Sequence, residues 1–270
     1  MVVTTNDITT KNYKKLSIQV SLSGLSFCVF DLITKKIIAH NAISFTKTNV
    51  IEEQLWKVFV DHTILSNTYD EVLILHDNCL NTFVPSALFD PNFMGSYLQY
   101  NVKVFETDLF TYDTLETYEL NNVYVPYVNI NNFLLDQFHS FEYKNVNSIL
   151  VKKIVEISIG NLDKEVFIHM QKEHFEIIVV RNQQLLLFNS FEYSTPEDFI
   201  YYILYTFEQL QLSPETINTY LFGLVEKTDD YFKIAYKFIR NCDLLSTEKW
   251  CATLDKTETE IRNNFILFHS

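Results

Sequence analysis

Residues 167–210 read FIHMQKEHFEIIVVRNQQLLLFNSFEYSTPEDFIYYILYTFEQL, and residues 212–223 read LSPETINTYLFG. Apolar runs at 166–170 and 175–181 flank the polar turn Gln171-Lys172-Glu173-His174 and predict a β-hairpin. A third strand is expected from Gln183 or Gln184 to Phe191. Thr195-Pro196-Glu197-Asp198 then marks a helix start, with a hydroxyl cap, proline at the first helical position and acids in the first turn. Phe199, Ile203 and Phe207, with Ile200, Leu204 and Leu210, line its apolar face. Residues 219–222 (TYLF) predict a short buried strand that Gly223 ends. The unit is β-β-β-α-β.

The same order occurs about 150 residues earlier. Residues 16–31, LSIQVSLSGLSFCVFD, predict two strands joined around Ser23 and Gly24, and residues 37–45 a third. A helix is expected over 50–65, with Asn49 as N-cap and Glu52 completing its box. Ile51, Leu55, Val58 and Phe59 share one face of it. EVLILH (71–76) reads as a strand buried on both sides. Side by side, Ile18 matches Ile168, Val20 matches Met170, Phe30 matches Val180, and 72–75 match 219–222. A duplicated unit is preferred over two unrelated α+β lobes.

The expected fold class is therefore α/β with mixed sheets and two lobes, 14–148 and 149–270, after a flexible tail at 1–13. Between the units, VPSALFDP (84–91) predicts a loop entering a short helix that continues over 92–100. Strands are expected at 102–105 and 117–127, and helices at 131–138, 147–155 and 231–240. The tail 258–270 carries no clear pattern. No Pro/Gly/Ser-rich linker separates the halves, so they should pack on each other.

Composition narrows the function classes. The 270 residues are 47% hydrophobic, enough for a sizeable core. Only four are glycine, against roughly 19 at the average usage of about 7%. Backbones that cradle phosphate usually recruit glycine, so nucleotide chemistry is disfavoured. Thirty-four acids against 21 bases leave a net charge of −13, a field that repels nucleic acid and anionic membranes. The basic clusters Lys11/Lys14/Lys15 and Lys152/Lys153 are short and read as solvated surface. No secretory signal or membrane span is visible. Cys28, Cys79, Cys242 and Cys251 are far apart with no C-x-x-C, which fits buried free thiols in a cytoplasmic protein.

The duplication resembles the actin-like ATPase superfamily of actin, heat-shock chaperones and sugar kinases, a duplicated RNase H-like fold. The second copy is similar to the bacterial pilus-assembly and type II secretion scaffold proteins. VPSALFDP, 167–210 and 212–223 together look like an uncharacterised bacterial family, a domain of unknown function with an actin-like fold. In active members of the superfamily an Asp on the first strand of each copy directs the metal, and a glycine-containing turn holds phosphate. Carried over, those Asp positions fall at Gln19 and His169. The turns hold Gly24 alone in the first copy and no glycine in the second. An amide and an imidazole do not replace two magnesium-directed carboxylates. The resemblance therefore implies a fold without ATP hydrolysis: a non-catalytic interaction or scaffold protein, a pseudo-ATPase, with a protein partner.

The alternative is a nucleotide or other small ligand in the inter-lobe cleft, held by Ser21, Ser23 and Gly24 opposite Lys172, the one cation in either turn. No catalytic residues, cofactor or metal is assigned. His169, Glu173 and His174 could be metal ligands, but their spacing across a turn favours satisfied or exposed turn histidines. Asp61-His62 lacks a nucleophile partner, and His76-Asp77 reads as a core-edge histidine at a strand end. Tyr201, Tyr202 and Tyr205 have helical spacing and read as core packing.

Overall fold

The computed structural model describes residues 11–46, 50–105 and 107–270. Residues 1–10 of the expected tail at 1–13, and the Asn49 cap, lie outside these residues. The first unit comprises β1 (Lys14–Ser21), β2 (Gly24–Asp31), β3 (Ile37–Ser44), α1 (Ile51–Asp61) and β4 (Glu71–His76). An insertion follows, with β5 (Asn81–Pro85), α2 (Met94–Leu98), β6 (Thr111–Leu115) and β7 (Leu120–Tyr124). The chain returns through α3 (Val128–Phe138) and β8 (Glu142–Asn145), then crosses along α4 (Val146–Ile157). The second unit is β9 (Glu165–Met170), β10 (His174–Arg181), β11 (Gln184–Glu192), α5 (Pro196–Gln209) and β12 (Asn218–Gly223). It is completed by α6 (Asp230–Phe238) and β13 (Asn241–Leu244), and α7 (Glu248–Leu254), α8 (Glu258–Asn263) and α9 (Phe265–Phe268) close the chain.

The two large sheets have the same order, β3-β2-β1-β4-β8 and β11-β10-β9-β12-β13. Their registers also correspond. Ile18 lies opposite Phe27 and Ile74, and Ile168 lies opposite Ile177 and Leu221. A register shift falls between Val29 and Phe30 in one copy and between Val179 and Val180 in the other. A bulge bends the strand and strengthens its twist, so sharing its position gives both sheets the same curvature. The insertion forms a separate sheet, β5-β7-β6.

Each sheet buries one face against its own helices. Ile18, Phe27, Leu55 and Phe59 form one outer core, and Ile168, Ile177, Phe199 and Ile203 the other. The opposite faces meet in a central core built on α4 and α9, with Cys28, Leu75, Ile178, Val180 and Phe222. This double burial explains why β9 and β10 read as continuous apolar runs rather than alternating ones. The final helix packs on β1, β2 and α4, and the Leu267 carbonyl lies 3.5 Å from Cys28 Sγ. The end of the chain is thus shared between the halves.

Several local expectations need correction. Residues 102–105 form no strand; Val102 and Val104 instead pack their side chains beside Leu98. The strand lies at β6, where the sequence TYDTL hid it behind a buried acid. The tail 258–270 is helical and largely buried, and α8 starts from a capping box of Thr257 and Glu260. Tyr201 and Tyr205 are 62% and 47% exposed and stack on each other, while Tyr202 stacks on Phe191. Cys28 and Cys242 are buried, but Cys79 and Cys251 are only partly so.

The buried acid of β6 anchors the insertion. Asp113 accepts from the Asn145 amide (2.9 Å), the Ser148 hydroxyl and the Tyr124 hydroxyl (3.2 Å). Asn122 donates to Ser148, Asn81 to Asn122, and Asn147 to Asn81. Asp113→Ala strands three buried donors and is expected to cost about 3 kcal/mol. Equilibrium denaturation should show it; an unchanged midpoint would mean that the network is not what holds the insertion to α4.

Candidate functional site

The ends of β1 and β4 in the first unit face those of β9 and β10 in the second. Gln19 Nε2 donates to Asp77 Oδ2 at 2.9 Å, and the Asp77 amide bonds the Val20 carbonyl. The Tyr127 hydroxyl donates to the Asp77 carbonyl at 3.0 Å. Burial pushes the Asp77 carboxyl upward, while the Gln19 amide pulls it back.

Opposite lies a carboxylate between two imidazoles. His169 and Glu176 are directly paired across β9 and β10, so their side chains share a face. His174 is two residues before Glu176 on the same strand and shares that face too. His169 Nδ1 lies 2.8 Å from Glu176 Oε2, and His174 Nε2 lies 2.9 Å from Oε1. His169 and Glu176 are 3% and 2% exposed, so a charge there survives only because it is bonded on both oxygens. Burial opposes ionisation of Glu176, but the two histidines prevail and hold it down at about 2. Burial likewise opposes charge on His174, yet hydrogen bonds to Cys79 and Glu176 raise it to about 11.

Cys79, just beyond β4, is the third member. Donor atoms of Cys79, His174 and Glu176 all lie within 4.8 Å of one another. Cys79 and His174 open on a cavity of about 330 Å³ between the halves, lined also by Asn81, Lys103, Phe188 and Ser190. Phe83 meets Phe188 edge-on at 5.0 Å, joining the insertion to β11.

Both hairpin turns bond polar groups within themselves. The Ser21 and Ser23 hydroxyls lie 3.0 Å apart, and the Ser23 amide donates to Ser21 Oγ. A Cβ on Gly24 would sit 2.6 Å from the Ile43 carbonyl oxygen, so that glycine serves the approach of β3. Its φ is not positive, nor is that of any residue in either turn. In the second turn the Gln171 amide bonds the His174 carbonyl, and Lys172 is exposed. None of Ser21, Ser23, Gly24 and Lys172 lines the cavity.

Other sequence candidates are dispersed. His169 lies in a buried strand rather than in the turn, and Glu173 is exposed beside it. His76 is fully buried, 3.0 Å from Asn131 and accepting the Tyr127 amide. His62 caps the end of α1, and Asp61 is exposed. Cys79 and Glu176 were missed. The period-two spacing of His174 and Glu176 was available as a signal, but Cys79 reaches them only through the packing of the halves.

Twin mixed sheets with matched registers, facing each other across a central core, define the actin-like fold. The chain belongs to the family described as "Protein of unknown function (DUF3822)", which matches residues 4–242. It is similar to a Bacteroides thetaiotaomicron protein with actin-like ATPase fold and unknown function. That similarity is 24% identity over 88% of this chain and 93% of that one, with a TM-score of 0.80. It also resembles the PilM-PilN type IV pilus biogenesis complex, at 12% identity over 94% of this chain and 96% of that one, TM-score 0.56. No curated protein matches. Among the described residues, no helix is long and apolar enough to cross a membrane.

Proposed function

We propose that the chain is a non-catalytic binding protein, an actin-like fold whose phosphate grip has been replaced by its own side chains. The observation that carries this reading is the pair of internally bonded groups at the Asp positions. Gln19 is committed to Asp77, and His169 to Glu176. Both leave a magnesium-bound triphosphate without its carboxylates, and the second adds a buried negative charge. A protein partner is the role left to two packed lobes, as the pilus complex combines a related fold with a partner chain. The stacked, exposed Tyr201 and Tyr205 supply aromatic surface suited to such contact. Four free cysteines agree with a reducing, cytoplasmic setting.

Isothermal titration with Mg-ATP and Mg-GTP is expected to give no heat of binding, and phosphate release no turnover. Micromolar binding with hydrolysis would overturn the reading.

A second reading, a small ligand between the lobes, is favoured by the cavity beside Cys79 rather than by the turns. Lys103 on its wall supplies a lysine ammonium beside the imidazole of His174. Under this reading, Lys103→Ala abolishes a thermal shift produced by an anionic ligand and Lys172→Ala leaves it. The reverse pattern would return the site to the turns.

A further inference from the structure

We infer that Cys79, His174 and Glu176 form a binding site for one zinc-type divalent cation, bridging the two halves of the chain. The inference goes beyond the proposed function and is independent of whether the protein binds nucleotide.

The donor set carries it. Thiolate, imidazole and carboxylate are the ligands that a borderline-soft d-block ion selects, whereas magnesium and calcium favour all-oxygen sites. The three donors lie within 4.8 Å of one another. Tetrahedral zinc, with bond lengths of about 2.0–2.3 Å, needs donors roughly 3.5 Å apart, so small side-chain rotations close the site. One thiolate and one carboxylate balance a divalent charge, which removes the cost of a net charge in a buried place. His169, bonded to the second oxygen of Glu176, orients that ligand from behind. Cys79 and His174 also line the cavity, so the fourth position faces open space and takes water. Three protein ligands with an open position form a different arrangement from the closed four-ligand structural sites.

The ligands also have unequal origins. His174 and Glu176 are placed by one strand, with alternate residues on one face. Cys79 follows β4 of the other sheet. An ion here would therefore clamp the halves together, and its uptake should raise the thermal midpoint of the whole chain.

The test is titration of metal-free, reduced full-length protein with zinc chloride, read by calorimetry and by metal content after dialysis. One zinc per chain is expected, with calcium and magnesium showing no uptake. Cobalt substitution should give the thiolate-to-metal charge-transfer absorption that oxygen and nitrogen ligands alone do not produce. Cys79→Ser should remove that band and weaken zinc affinity about 100-fold, and His174→Gln should weaken it similarly. Cys251→Ser, on α7, should change nothing. Zinc should also protect Cys79 from iodoacetamide in the unmodified protein, a readout that needs no variant. No uptake, uptake that survives Cys79→Ser and His174→Gln together, or alkylation of Cys79 at the same rate with and without zinc would overturn the site.

Discussion

Gly223→Ala is expected to lower the thermal midpoint by roughly 10 °C or more, a loss of about 4 kcal/mol. Two costs add at this position. Gly223 has φ +86°, a conformation that costs a residue with a side chain about 1–2 kcal/mol. A Cβ there would also lie 2.3 Å from the Met170 carbonyl oxygen and 2.9 Å from its amide nitrogen. These are backbone atoms of β9 that cannot rotate aside, and Gly223 is paired with Met170 in the parallel ladder. Relief would require β12 and β9 to separate at the end that carries His169. Gly160 provides the control. It has φ +83°, but a Cβ there meets nothing within 4 Å. Gly160→Ala should therefore show only the dihedral cost, and the difference between the variants measures the strand contact. Equal midpoints for the two would mean that β12 yields at little cost.

Acidification from pH 6.5 to 4 is expected to remove on the order of 5 kcal/mol of stability. Two histidines cause this, His76 fully buried and His269 half-buried. Burial lowers both His76 and His269 to about 4, against the weaker opposing hydrogen bonds to Asn131 and the Phe265 carbonyl. The unfolded chain takes up these protons near 6.5 and the folded chain only near 4. Their contribution is complete above 6.5 and is lost as the pH falls through that window. His76 accepts the Tyr127 amide through Nδ1 and meets Asn131 through Nε2, so protonation also breaks an accepting role. Urea midpoints across the range should decline well before the carboxylates titrate. His76→Gln, which cannot take up the proton, should remove about half of the decline; a flat profile from 6.5 to 4.5 would refute the assignment.

Much of the fold was legible because its two units each write their pattern locally. The proline-acid start of α5 is a strong local signal, and the structure adds a complete capping box of Thr195 and Asp198. The matched pair Ile18 and Ile168 places Ile74 opposite one and Leu221 opposite the other, as the alignment of 72–75 with 219–222 requires. The insertion was less legible. Asp113 interrupts β6 with an acid that only the surrounding donors make tolerable. Val102 and Val104 looked like a strand because they alternate, but their neighbour is a short helix rather than another strand. Tyr202 of α5 packs on the core as expected, but Tyr201 and Tyr205 do not, for a related reason. Helical spacing places residues on a stripe, but whether the stripe is covered depends on what packs there.

The site divides the same way. That an amide stands at 19, an imidazole at 169 and no glycine in the second turn could be read directly, since these are properties of the residues themselves. What those residues bond to could not. Glu176 is an ordinary acid in the sequence and becomes a bridged, buried anion because strand pairing brings His169 across from it. Cys79 is about 95 residues from His174 and meets it because two sheets share a core. Local periodicity and turn chemistry are encoded within a few residues, so the chain alone determined the units and their duplication. Burial, charge pairing and the meeting of distant donors depend on which surfaces face each other, and only tertiary packing decides that.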